Sequence, residues 1–247
     1  MELLNRARIA ADEIGDKNHK GNGVKLFELA TDKGEGIDNS AINKICDALD
    51  NDQFRILFQP IVGLTTTNGL GNYEVFLRLN ESEKGLSPTN IFLTTMDHAE
   101  TSIRLDKWVI ENAFIRIAEK LKEQQRSRVF INLTARFYQD SDVLNWVSDQ
   151  LKAYRIPADL IVFQASESDL STRQVQAEVF RAGLKKLGCK FCIKHFGVST
   201  NRELLRNKLK PDLIKVDGAN QKGKSMDHST DKAFAAMIKE LKKSKII

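Results

Sequence analysis

The chain has 247 residues, 41% of them hydrophobic and 29% charged, a balance that suits one large barrel or two small domains of ordinary globular composition. With 38 Lys and Arg against 33 Asp and Glu the net charge is +5, which suits an anionic ligand and is too small an excess to argue for DNA or RNA. No apolar run approaches the roughly 18 residues of a membrane span, and residues 1–6 (MELLNR) hold no signal-peptide apolar core. A cytoplasmic protein with no membrane insertion is expected.

Apolar residues at helical spacing predict a helix over 2–14, then a turn over 15–23 and an alternating strand, VKLFEL, at 24–29. This unit, residues 1–30, is too short to fold alone. Residues 31–39 are rich in Gly and Asp and predict a linker. From residue 40 a regular rhythm begins. A helix over 40–50 leads to strand FRILFQPIV (54–62) and strand NYEVFLRL (72–79). Ser87-Pro88 marks a helix start, with Ser as N-cap and Pro in the first turn. The pattern then predicts helix 100–125, strand RVFINL (128–133), helix 142–154, strand LIVFQA (160–165) and helix 171–187. Strand KFCIKHF (190–196), helix 200–207, strand DLIKV (212–216), helix 230–243 and a strand opening at 245–247 complete it. Short apolar strands alternating with amphipathic helices predict a parallel α/β fold. Six or seven such units favour a TIM-like (β/α)8 barrel over an open sheet. The three cysteines, Cys46, Cys189 and Cys192, argue against a disulfide scaffold. The C-x-x-C at 189–192 falls on a strand without a second pair at metal spacing, so small buried thiols are expected.

Polar residues recur where the apolar strands end: Glu74, Asn132, Gln164, Lys194 with His195, and Lys215. In a barrel of this class the C-terminal strand ends meet at one mouth, where chemistry is done. A two-metal hydrolytic site needs several hard carboxylates. This mouth offers one, Glu74, beside two amides and two lysines, which predicts an anion-friendly and metal-poor pocket. Residues 218–225 (GANQKGKS) match the pattern of a phosphate-binding P-loop. No apolar helical periodicity follows directly, and only about twenty residues remain, so a polar loop is expected there.

These motifs carry a resemblance. FQPIV (58–62), YEVFLRL (73–79), GLSPTNIF (85–92), LDKWVI (105–110), FINLT (130–134), VFQASES (162–168), IKHFG (193–197) and DLIKVDG (212–218) stand in the order and spacing of the EAL family of cyclic-di-GMP phosphodiesterases. Residues 1–30 resemble the end of a GGDEF domain, the usual N-terminal neighbour. The resemblance implies a TIM-like barrel of the EAL type over 40–247, with the family barrel running on past Ile247.

Active members hold two Mg²⁺ or Mn²⁺ ions through the motif Glu, an Asn, a Glu on the next strand, an Asp pair before Phe-Gly and a later Glu. Here Glu74, Asn132 and Lys215 match vestigially. Gln164 replaces a liganding Glu, and Lys194 and His195 replace the Asp pair. Glu167 matches a supporting position outside the ligand set. The resemblance therefore implies no catalysis and no metal requirement. It implies retained cyclic-di-GMP binding through Gln59, Phe76, Leu77, Arg78, Pro88, Asp106 and Asn132, with Arg78 on phosphate and Phe76 against a base. EVF in place of EAL is similar to the degenerate, FimX-like receptors of type IV pilus regulation, which implies a PilZ-domain protein and a second copy of the chain as candidate partners. A weakly active metal-dependent phosphodiesterase and a nucleotide-free scaffold are the alternatives. Lys194 carries one further expectation: its ammonium stands near Glu74 and substitutes for the missing cation charge.

Overall fold

The structure, a computed structural model, describes residues 39–62, 70–79, 98–197, 201–216 and 239. The described residues belong to one compact unit that begins at Asn39. Helix α1 (Asn39–Asp50) precedes strands β1 (Phe54–Ile61) and β2 (Gly71–Leu79). Helix α2 (Ala99–Lys122), strand β3 (Ser127–Asn132), helix α3 (Val143–Ala153) and strand β4 (Ile161–Ser166) follow. Helices α4 (Glu167–Thr172) and α5 (Gln174–Leu187), strand β5 (Lys190–Phe196), helix α6 (Arg202–Leu209) and strand β6 (Leu213–Val216) complete the order. The helix start at Ser87-Pro88, the GGDEF-like residues 1–30, the P-loop-like stretch 218–225 and the elements expected over 230–247 lie outside the described residues.

Six strands form one sheet in sequence order. Strands β2 to β6 are parallel, as the β/α alternation requires. The exception to the parallel order is β1, which runs antiparallel to β2, with Phe54 opposite Leu79 and Ile61 opposite Asn72. The reason is connection length. Only residues 62–70 join the two strands, and a parallel crossover needs roughly a dozen residues or more. Among the described residues the sheet stays open, with β1 and β6 each paired on one side.

The alternation of the strands separates two apolar layers. Ile131, Phe163, Phe191 and Ile193 face the helices and pack with Ile110, Phe114, Val147, Phe180 and Leu184. Phe130, Val162 and Cys192 face the other way and cluster with Ile61 and Leu213. Burying each large side chain of these layers contributes roughly 1.5–3 kcal/mol, which makes the helix-facing layer the main support of the sheet. Cys189 and Cys192 are free and buried. Burial pushes both thiols up to about 12, so they behave as small apolar groups.

Helix ends follow their side chains. His98 caps α2, its Nδ1 accepting from the Thr101 backbone N–H at 3.3 Å. The single helix expected over 171–187 is two helices, broken at Arg173 with φ −130° and ψ 46°. Ser166 Oγ caps α4 by accepting from Asp169 N at 3.1 Å. Ser171 Oγ then donates to Glu167 O at 2.8 Å and Thr172 Oγ1 to Asp169 O at 2.9 Å. Such back-bonding by short polar side chains competes with helix continuation. Helix α5 ends at Gly188, whose φ of 86° lets its N–H reach Leu184 O and Lys185 O.

One carboxyl ties helix to sheet. Asp106, on α2, is 6% exposed. Its Oδ2 accepts from Thr134 N at 3.0 Å and Thr134 Oγ1 at 2.6 Å, just past the end of β3. Burial pushes this carboxyl up to about 7, against the lowering effect of the two Thr134 bonds and the charge of Lys194.

Two outcomes are expected from this packing. A Cβ at Gly188 would meet only Ala158 Cβ, at an ordinary 3.5 Å. Gly188→Ala therefore costs about 1 kcal/mol of backbone strain and Gly188→Asn less, read from urea denaturation midpoints. Asp106 keeps its proton to about pH 7 when folded but releases it near the ordinary 3.8 when unfolded. Its contribution is fully present below about pH 4 and is lost as pH rises through 7, by at most ~4 kcal/mol. Asp106→Asn keeps an acceptor for Thr134 and does not titrate. The variant should gain stability relative to the parent between pH 4.5 and 8, and a pH-independent difference would show that the buried carboxyl is not protonated.

Candidate functional site

The polar residues at the strand ends converge. Along each strand the residue two places before the polar one is apolar and shares its face: Phe130 before Asn132, Val162 before Gln164, Cys192 before Lys194, Leu213 before Lys215. The apolar layer thus forms a floor, and the polar residues stand one step nearer the C-terminal ends.

Glu74 is the centre of the cluster. Its Oε1 accepts from Gln164 Nε2 and, at 3.2 Å, from Asn132 Nδ2. Its Oε2 accepts from Lys215 Nζ at 2.8 Å. Asn132 Oδ1 accepts from Lys194 Nζ at 2.7 Å and from Gln164 Nε2 at 3.1 Å. Lys215 Nζ also lies 4.9 Å above the ring of Phe130, a cation–π contact. The amide orientations are dictated by these partners, because Glu74 only accepts and Lys194 only donates. Gln164 is fully buried, and among the described residues its Oε1 has no hydrogen-bond partner. The side chains of Glu74 and Lys215 keep 18% and 25% exposure, so the cluster opens to solvent on one side. Burial holds the Lys194 ammonium below the ordinary lysine range, while the charges of Glu74 and Asp169 act the other way.

The other residues expected at the site divide. Gln59 is exposed and pairs in register with Glu74, so it shares that face. Phe76 and Arg78 follow Glu74 at period two on the same face. The Arg78 guanidinium lies 5.7 Å from the Phe76 ring centroid and its Nη1 donates to Leu77 O at 2.9 Å. Leu77 is a correction. Its side chain faces the other way and packs with Ile45, Leu49, Phe54 and Leu105, because alternation separates it from Phe76 and Arg78. Lys194 turns into the cluster, whereas His195 is exposed at a register shift between Ile193 and Phe196, with φ 55°. The expectation that both residues line the mouth together therefore gives way to a bulge. Asp106 is buried against Thr134, as described above. Pro88 lies outside the described residues. Glu167, buried at the start of α4, accepts from Gly197 N at 2.6 Å and so fixes the turn that follows β5.

Two contributors escaped the sequence reading. Phe130, beneath Lys215, was discoverable from its place two residues before Asn132. Thr134, which holds Asp106, had no signal beyond following the strand.

The donor set can be tested against a divalent cation. Such ions prefer several hard oxygen ligands. The cluster supplies one carboxylate, and each of its oxygens already accepts a hydrogen bond. Two ammonium groups stand beside it. Among the described residues no three His, Cys, Asp or Glu side chains gather in a metal-binding group. The set does not fit a divalent cation, and it carries one positive charge in excess.

Comparison with known proteins places this geometry. The EAL domain profile matches residues 42–246. The chain is 30% identical over 179 residues to the cyclic di-GMP phosphodiesterase PdeF of Escherichia coli (strain K12), a match covering 72% of this chain and 23% of the relative. It thus spans about a quarter of the length of that protein. A crystal structure of the FimX EAL domain superposes with a TM-score of 0.76 at 31% identity, covering 83% of this chain and 82% of that one. The FimX EAL domain from Pseudomonas aeruginosa bound to c-di-GMP superposes with a TM-score of 0.73 at 31% identity, covering 82% and 81%. No helix among the described residues is long and apolar enough to cross a membrane. The profile match and the superpositions agree with the strand-end geometry, and the chain belongs to the EAL domain family.

Proposed function

We propose that this chain is a cyclic-di-GMP receptor domain that binds the dinucleotide without hydrolysing it. The observation that carries the reading is the company Glu74 keeps. Its carboxylate accepts from Gln164, Asn132 and Lys215, and the ammonium of Lys194 stands beside it on Asn132, so the surroundings of the one acid are amides and cations rather than further carboxylates. Metal-assisted phosphodiester cleavage needs a cation that lowers the pKa of a bound water and polarises the phosphoryl group. An ammonium neutralises charge but coordinates no water. The likeness to a FimX EAL domain bound to c-di-GMP supports retained binding.

In this reading the face shared by Gln59, Glu74, Phe76 and Arg78 receives the ligand. Arg78 offers a planar fork of donors to a phosphate. Phe76 offers a ring on which a base stacks, in place of the guanidinium now above it. Pro88 and Asp106 take part in guanine recognition as positions of the family pattern. Residues 1–30 are a GGDEF-like remnant joined by the linker 31–39. A PilZ-domain protein, a second copy of this chain and a place in type IV pilus regulation are parts of the same proposal.

A weak phosphodiesterase is the second reading, favoured by the name of the PdeF relative and by retention of Glu74, Asn132 and Lys215. The two separate in one experiment. Cyclic-di-GMP is titrated calorimetrically into the chain, and the same mixtures with Mg²⁺ or Mn²⁺ are chromatographed for linear dinucleotide. Binding that Arg78→Ala weakens roughly ten-fold or more, with no linear product, is expected. Accumulation of linear product with the cation would establish the enzyme, and absence of binding would leave a protein scaffold.

A further inference from the structure

We infer that Lys194 is a built-in replacement for a divalent cation: with Lys215 it forms a positive floor that holds a phosphodiester of the cyclic dinucleotide in the absence of metal. This rests on the receptor reading and specifies its chemistry.

The two lysines are not equivalent. Lys215 pairs directly with Glu74 at 2.8 Å. Lys194 meets the amide oxygen of Asn132 instead, at 2.7 Å. Among the described residues it forms no ion pair with a carboxylate. The reason lies in the hydrogen-bond pattern. Glu74 Oε1 is taken by two amide N–H groups and Oε2 by Lys215, so neither oxygen is turned to Lys194. Asn132 is held with Nδ2 on Glu74 and Oδ1 towards Lys194, and it relays the acid's position to the ammonium without neutralising it.

The electrostatic balance points the same way. Within the hydrogen-bonded cluster two ammonium groups meet one carboxylate, in a half-buried site open on one side, while Asp169 and Asp106 act on Lys194 from outside it without contacting it. An ammonium there without a contacting anion is costly. A phosphodiester carries a single negative charge and accepts hydrogen bonds, and Asn132 uses only one of the three N–H donors of Lys194. An anionic ligand therefore offsets the cost. The backbone is built to aim the group. The register shift after Ile193 and the Glu167 bond to Gly197 N at 2.6 Å fix the end of β5 around Lys194, which stays in register with Ser166.

The test is calorimetric titration of cyclic-di-GMP into the full chain, once in EDTA and once in excess Mg²⁺, with Lys194→Met, Lys194→Arg and the remote surface variant Lys152→Met. The parent and Lys152→Met should bind alike in both media, within about two-fold. Lys194→Met should bind roughly ten-fold or more weakly in EDTA, and Lys194→Arg should recover much of the loss because it keeps the charge. Thermal melting checks that each variant is folded. If Lys194→Met fails to fold, the Arg variant and the EDTA comparison still decide. Parent binding that requires Mg²⁺, or unchanged affinity in folded Lys194→Met, would overturn the inference and leave the receptor reading intact. No binding of the parent in either medium would overturn both.

Discussion

The carboxylate of Glu74, held by three donors from three other strands, is the constraint on which the mouth of this fold depends. Asn132 reaches it from β3, Gln164 from β4 and Lys215 from β6, and Lys194 of β5 joins through Asn132. A carboxylate taken from water must be compensated group by group. Bonds from a charged donor and two amides do this locally. The cluster links five strands at the level where their apolar layers end, so strand stagger and side-chain chemistry are set by the same contacts. Change the partners of Glu74 and the character of the pocket changes, because nothing else in the cluster is acidic.

The surroundings hold that cluster in place. Beneath it, Phe130, Val162 and Cys192 keep water from the lower side and supply the ring under Lys215. Beside it, two carboxylates serve the backbone. Asp106 holds Thr134 after β3, and Glu167 holds Gly197 after β5. Each fixes the turn that follows a site strand. These three acids thus divide by task, one at the centre of the polar cluster and two at the loops. Burial forces Asp106 towards neutrality near pH 7.

Much of this was legible from residues alone, for identifiable reasons. Buried strands with both faces covered read as apolar runs, so their limits emerged within a residue or two. The period of two then placed the polar residues of successive strands on one face. Direction was not in that pattern. The antiparallel β1 follows from the short connection 62–70, a length rather than a periodicity. The break at Arg173 was hidden because apolar spacing continues across it, while Ser171 and Thr172 bond back to the helix carbonyls. Leu77 was grouped with its neighbours by motif, although alternation alone puts it on the opposite face. The bulge at His195 is a backbone event that residue type hardly signals. The depth at which Asp106 is buried and its bond to Thr134 were not legible, because they depend on how α2 packs on β3.

Binding and hydrolysis of a phosphodiester make separable demands, and the cluster shows where they part. Binding requires positive charge and hydrogen-bond donors at the phosphate oxygens, and an ammonium supplies both. Hydrolysis requires in addition a water made nucleophilic at neutral pH and a clamp on the leaving oxygen, which coordination to a metal supplies and an ammonium does not. The amide at position 164 and the amine at position 194 bring no negative charge that would hold cations. The amine brings positive charge of its own. On the receptor reading, the side chains that make the cluster a poor cation site therefore make it a favourable phosphate site, and binding and reaction separate at the level of single strand-end residues.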